Sequence, residues 1–198
     1  MTTDPSARAM STPGEASTGK KLDQLYSLID GIETCMMTTR GEDGALVSRP
    51  MQLQARDAGT DLWFMAPVDS ETVKAITVSA HVNLAFTRNT LQEWVSVSGV
   101  ARVTTNRRRI RQLYNETWKA WLPAEGEGHD GGPDDPRIAL IEVEAQSATF
   151  MKSDQPGVVQ LFILAKAKLT GTMPEHGVVG TLTSAALAEG EARPPKSG

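Results

Sequence analysis

The 198-residue chain carries a single cysteine, Cys35. No intrachain disulfide can hold the fold, and a lone thiol fits a reducing compartment. Basic charge is not in excess either. There are 20 Lys and Arg against 24 Asp and Glu, for a net charge of -4. A nucleic-acid binder needs a positive field to meet phosphates, so that class is excluded as the main function. No apolar run approaches the length of a transmembrane helix. The opening stretch, MTTDPSARAMSTPGEASTGKK, has no apolar segment of the secretory type. These absences together predict a cytoplasmic protein without a membrane or nucleic-acid partner. Ser96 and Ser98 have no His and acid at a readable spacing, so a hydrolase triad is not supported. The acids of HDGGPDD (129–135) lack firm metal-ligand spacing, and no metal site is expected.

What is present suffices for one domain. The hydrophobic share is 39%, with four Trp. Residues 1–20 are rich in Ser, Thr, Pro, Gly and Ala and are expected to form a disordered tail. The body spans 21–170, and 171–198 is expected to be a largely flexible extension. KLDQLYSLIDGI places Leu22, Leu25, Leu28, Ile29 and Ile32 at helical spacing. ETCMMTTR and LVSRPMQLQAR read as a hairpin turning through Gly44, with Val47, Met51 and Leu53 as inward candidates. Pro50 marks a sheet edge or bulge there. DLWFMA is a strand, 70–79 a helix with Val73 and Ile76 on one side, and VNLAFT a strand. EWVSVSGVARVTT alternates Trp94, Ser96 and Ser98 against Val95 and Val97, and Gly99 suggests a bulge or sharp bend.

NRRRIRQLYNETWKAWLP predicts one helix capped by Asn106, with Ile110, Leu113, Thr117, Trp118 and Trp121 on one face. Its Arg107–Arg111 run opposes the helix dipole and reads as a solvated face or an anion or partner contact. IALIEVEAQSATFMK is a final strand, and VVQLFILAKAKL a closing helix. The expected fold is mainly β (α+β), an antiparallel barrel with helices packed outside.

The serial order of SRPM (48–51), LWFM (62–65), a Ser-led helix at 70, VNLAF, WVSVSG, KAWLP (119–123) and DDPRIALIEVE carries a resemblance. It covers about residues 21–170. The chain resembles the pyridoxamine 5'-phosphate oxidase-like FMN-binding split-barrel superfamily, in its general-stress-protein branch. That resemblance implies a Greek-key split β-barrel, a homodimer, and FMN held at the subunit interface; FAD or a deazaflavin are alternatives.

The resemblance also assigns cofactor contacts. Arg49, with Pro50 and Met51 beside it, is the expected phosphate clamp, since a planar guanidinium matches phosphate oxygens. Ser70 opens a helix whose free N–H groups form a phosphate seat. Relatives place a Lys two residues on, where this chain has Thr72; Lys74 is the nearest cation. Trp63, Phe64 and Met65 are expected along the isoalloxazine, although Trp63 and Phe64 must face opposite sides of their strand. Gln92 is expected near the ring, and Lys119 and Trp121 fall in the matched KAWLP. Relatives often carry an aromatic pair where this chain has Phe150 and Met151. No catalytic residue is assigned. The expected function is a flavin-binding protein, an FMN-dependent oxidoreductase on an unknown small substrate. The alternative is a non-catalytic stress-response binding module with weak or no flavin binding. True pyridoxamine-phosphate oxidase activity is disfavoured, because the chain ends EARPPKSG and lacks the Arg-Leu-x-Pro tail.

Overall fold

The computed structural model describes residues 17–57, 61–89, 92–153 and 178–191. Helix α1 (Thr18–Ile32) buries Leu22, Leu25, Leu28 and Ile29 along one stripe, as their spacing requires. It begins at Thr18, so the last residues of the expected tail are helical. β1 (Thr34–Arg40) and β2 (Leu46–Arg56) form the expected hairpin. Its turn uses Gly44 at φ 79°, a conformation that favours glycine, and the Asp43 carboxylate accepts the Ala45 N–H. β3 (Leu62–Pro67), α2 (Glu71–Val78), β4 (His81–Arg88) and β5 (Glu93–Thr104) follow. After α3 (Arg107–Leu113) and a 3-10 turn (Glu116–Ala120) comes the long β6 (Ile138–Lys152). β7 (Val178–Leu182) and α4 (Ser184–Glu191) complete the described chain. The expected helix VVQLFILAKAKL lies outside the described residues.

The sheet order is β3-β2-β1-β4-β5-β6-β7, every pairing is antiparallel, and β3 also pairs β6. That extra pairing closes a six-stranded barrel. β6 makes closure compatible with a further strand by dividing its length. Residues 138–143 pair with β3, and 148–152 pair with β7. The division falls at a bulge. Ser98 opposes Ser147 but Gly99 opposes Ala145, leaving Gln146 over. A Cβ at Gly99 would lie 2.4 Å from the Glu144 carbonyl oxygen, so only glycine fits this approach. The segment 171–198, expected as a largely flexible extension, contains β7 and α4, and these bury Leu182 and Leu187 against the body.

Two apolar clusters result. The barrel interior holds Phe64, Phe86, Phe150, Met37 and Leu84 under α1 and α2. A second cluster lies outside β3 and β6, where Trp63, Ile110, Trp118, Leu122, Ile138 and Leu140 pack beneath α3 and the 3-10 turn. Each fully buried side chain of this size stabilises the fold by roughly 1.5–3 kcal/mol.

The single helix expected over 106–122 is corrected to two pieces. Tyr114 is extended (φ -55°, ψ 134°) and breaks the first. Asn115 then restarts the chain by accepting the Thr117 N–H at 3.0 Å, the competition with helical bonding at which Asn is effective. The break turns Trp118 inward, where its indole N–H donates to Gln54 at 2.9 Å, and leaves Trp121 74% exposed. The five residues therefore do not share one buried face. Val47 lies on the inner side of β2, as expected, and is 40% exposed there because a cleft opens beside it.

Candidate functional site

The cleft is built by register. Val47, Arg49 and Met51 oppose Thr39, Met37 and Cys35, the three inward residues of β1. All therefore look to the barrel side of the sheet. On the other flank, β2 pairs with β3 only through residues 62–64. Pro50 costs no ladder bond on that flank, since no strand lies beside it, and the edge of β3 at 65–67 is free of strand pairing there. α2 covers the opening. Its cap is the Ser70 hydroxyl, which accepts the Val73 N–H at 3.3 Å. Between β2 and α2 lies a cleft of about 450 Å³, lined by Thr39, Val47, Arg49, Glu71, Lys74 and Val78, with the turn residues 41–43 at its rim.

The charges in this cleft are unequally engaged. Arg49 is half-buried, and its guanidinium makes no hydrogen bond or ion pair among the described residues. Lys74 pairs with Glu71 at 2.7 Å, an i,i+3 contact between exposed groups. The Lys74 hydrogen bond lowers the Glu71 carboxyl, with a smaller contribution from Arg49, and Glu71 in return raises Lys74. Exposed pairs of this kind hold little energy, so Lys74 is free to exchange partners. Thr39 is 1% exposed, and its hydroxyl has no partner among the described residues. A phosphate oxygen fits this donor set of a guanidinium, an ammonium and an orphaned hydroxyl beside a helix start. Thr39 was missed from the sequence. Its signal was a hydroxyl at the third apolar-period position of TCMMTTR, after Cys35 and Met37.

The other expected contacts are placed as follows. Thr72 is 4% exposed, on the side of α2 that also buries Val73, Ala75 and Ile76, and does not line the cleft. Pro50 is exposed on the outer face and Met51 packs against the barrel core. Phe64 is fully buried inside the barrel and Trp63 lies in the second cluster. The Trp63 indole N–H donates to Asp57 at 2.8 Å, and the Arg109 guanidinium lies 4.5 Å over the ring. Met65 is half-buried against the same cluster. Gln92 sits at φ 52° in the β4–β5 turn. That turn lies at the Thr34 end of β1, whereas Thr39 lies at the other end, so one copy of the chain does not bring Gln92 to the cleft. Lys119 pairs with Glu116 at 2.7 Å on the 3-10 turn, and neither it nor Trp121 lines the cleft. Phe150 is buried in the barrel, while Met151 is half-buried opposite Trp94.

The loop before β6 is tied down by its own acids. Asp135 is fully buried and bound by Arg137, and Asp134 pairs with Arg111 at 2.6 Å.

Residues 20–175 match the family model described as pyridoxamine 5'-phosphate oxidase like. The chain belongs to this family. A relative, Protein bli-3 of Neurospora crassa, is 36% identical over 160 residues, which cover 79% of this chain and 77% of that protein. The general stress FMN/FAD binding protein of Xanthomonas citri is 25% identical, with a TM-score of 0.55 over 67% of this chain and 88% of its own. General Stress Protein 26 of Bacillus anthracis shares the fold at 20% identity, with a TM-score of 0.55 over 65% and 91%. The barrel described above is therefore the split barrel of the pyridoxamine 5'-phosphate oxidase-like family. No helix among the described residues is long and apolar enough to cross a membrane.

Proposed function

We propose that this pyridoxamine 5'-phosphate oxidase-like protein binds FMN, with the phosphate seated between Arg49 of β2 and the start of α2. The observation that carries the reading is the unpaired Arg49 guanidinium in the same cleft as Lys74 and the orphaned Thr39 hydroxyl. The similarity to a general stress FMN/FAD binding protein supports the same ligand class. FAD, which carries a pyrophosphate on a longer body, and a deazaflavin are alternatives. A bound flavin supplies hydride and single-electron transfer, so the reaction class is an oxidoreduction of a small substrate. This chain's residues bind and orient: Arg49 and Lys74 neutralise the phosphate, and the free edge of β3 at 65–67 offers backbone groups to the ring.

The protein works as a cytoplasmic homodimer in this reading. Gln92 lies at the far end of the barrel from the cleft, so a second copy is needed to bring it to a flavin. The outer face of β1, β2, β4 and β5 offers a polar middle to such packing, where Thr38 and Ser48 bond at 2.8 Å and Asn83 bonds Ser96 at 2.9 Å.

A second reading is a non-catalytic module with weak flavin binding. Its support is the buried Thr72, where a cation is absent, and the three acids Glu42, Asp43 and Glu71 that line the cleft. One titration separates the two. FMN should quench on binding to the parent, and Arg49→Ala should bind about tenfold to a hundredfold more weakly, the cost of one charge-assisted contact. Riboflavin, without the phosphate, should respond little to the substitution. The loaded protein should sediment near twice 21.3 kDa. Equal FMN affinity in parent and Arg49→Ala removes the phosphate seat from this cleft. No FMN uptake by the parent establishes the second reading.

A further inference from the structure

The basic run Arg107–Arg111 is largely absorbed by the fold. Arg107 donates to the carbonyls of Asp135, Pro136 and Ile138, holding the entry to β6. Arg109 lies over Trp63 and reaches both Asp57 carboxylate oxygens at 2.6 Å. Arg111 pairs with Asp134. Arg108 alone of these makes no hydrogen bond or ion pair among the described residues. It lines a cleft of about 370 Å³ between α3 and the outer face of the barrel, together with Trp63, Thr104, Asn106, Gln112 and Glu142.

Glu142 is the counterpart. It stands on β6 between Trp63 of β3 and Arg102 of β5, its register partners. Arg102 is the cation that should neutralise it, but that guanidinium bonds Glu144 at 2.8 Å instead. Glu142 is thus half-buried with no ion pair or hydrogen bond among the described residues. Two opposite charges line one cleft and do not reach each other. A third polar group there is also unpaired, the buried Nε of Arg109. Half-burying the Glu142 charge without a partner is unfavourable, while Arg108 stands exposed at the rim of the same cleft, so a molecule that brings both signs completes the arrangement. A simple anion would meet Glu142, and a simple cation would meet Arg108. The volume lies at the lower end of ligand pockets, roughly 300–1,000 Å³.

We propose that this cleft binds a small zwitterion, an α- or ω-amino acid, whose carboxylate meets Arg108 and whose ammonium meets Glu142. The cleft shares no lining residue with the one between β2 and α2, so the site stands independently of flavin binding.

The Trp63 indole N–H, already bonded to Asp57 beside the cleft, is a reporter resolvable by two-dimensional NMR. The full chain would be titrated with 4-aminobutyrate and with glycine, and in parallel with acetate and methylammonium. Saturable movement of the Trp63 signal is expected with at least one zwitterion and with neither single-charge probe. Arg108→Gln and Glu142→Gln should each weaken that response at least about tenfold, as loss of a charge-assisted contact does, while Lys74→Ala leaves it unchanged. Glu142→Gln is isosteric and Arg108→Gln shortens an exposed side chain, and unchanged spectra elsewhere would verify the fold of both. The proposal is overturned if neither zwitterion moves the signal. It is equally overturned if acetate or methylammonium acts as strongly, or if the two variants respond like the parent.

Discussion

Replacing Asp135 by Asn tests whether one buried carboxylate holds the loop that launches β6. The carboxylate is fully buried and accepts four hydrogen bonds. They come from the Gly131 N–H at 2.8 Å, the Arg137 N–H at 2.9 Å, and Arg137 Nε and Nη2 at 3.1 and 2.7 Å. Asn keeps the shape and one acceptor but turns an NH2 group toward donors. It also leaves the Arg137 guanidinium, 18% exposed, without its buried counter-charge. Breaking a buried pair from one side costs about 3–5 kcal/mol. Arg137 retains Glu125 at 3.0 Å and the Pro123 carbonyl at 3.0 Å, which places the expected cost near the lower end, about 3 kcal/mol. For a chain of this size that is a fall in Tm of roughly 6–12 °C.

The pH dependence has a definite sign. The Arg137 side-chain hydrogen bond, together with backbone N–H donors and opposed by burial, holds the Asp135 carboxyl well below the usual carboxylate range. A depressed value means that the stabilisation is fully present above the unfolded-state value, about pH 4, and is lost as pH falls through the folded-state value. Urea unfolding followed by tryptophan fluorescence should therefore show a constant gap between parent and variant from neutral pH down to about 5. The gap should then narrow in the acid limb. A gap below about 1 kcal/mol at neutral pH, or one that does not narrow, would refute the reasoning.

Gly99→Ala should destabilise the protein by about 1–3 kcal/mol or more, because the new methyl meets the Glu144 carbonyl at 2.4 Å and Val143 Cγ1 at 2.9 Å, with backbone on one side unable to yield. An unfolding midpoint equal to that of the parent would show that the bulge absorbs a side chain. Cys35 is 2% exposed, and burial pushes its thiol up to about 12. It should resist thiol reagents at pH 8 until the chain is unfolded, when it should label at once. Rapid labelling of the native protein would mean that the β1–β2 side of the barrel opens readily.

The elements were legible wherever a local period coincided with the burial it predicts. The stripe of Leu22, Leu25, Leu28 and Ile29 made α1, and the alternation of Val95 and Val97 against Ser96 and Ser98 made β5. Gly99 announced its bulge, since no other residue tolerates such an approach of backbone to backbone. Arg49 was marked by its motif, and Ser70 by its position ahead of a helix. The remainder depended on which distant strand lies alongside. Only closure of β3 on β6 put Trp63 beneath α3, away from the cleft between β2 and α2, and only the Asn115 restart turned Trp118 in and Trp121 out. The orphaned hydroxyl of Thr39 and the unpaired charge of Glu142 are likewise products of register, since Thr38 on the other face bonds Ser48 and Arg102 bonds Glu144 rather than Glu142. Composition and period act over a few residues, whereas pairing and orphaned charges are set between segments far apart in the chain, so the sequence by itself determined the elements, apart from the break at Tyr114, and the tertiary structure decided which side chains share a cleft.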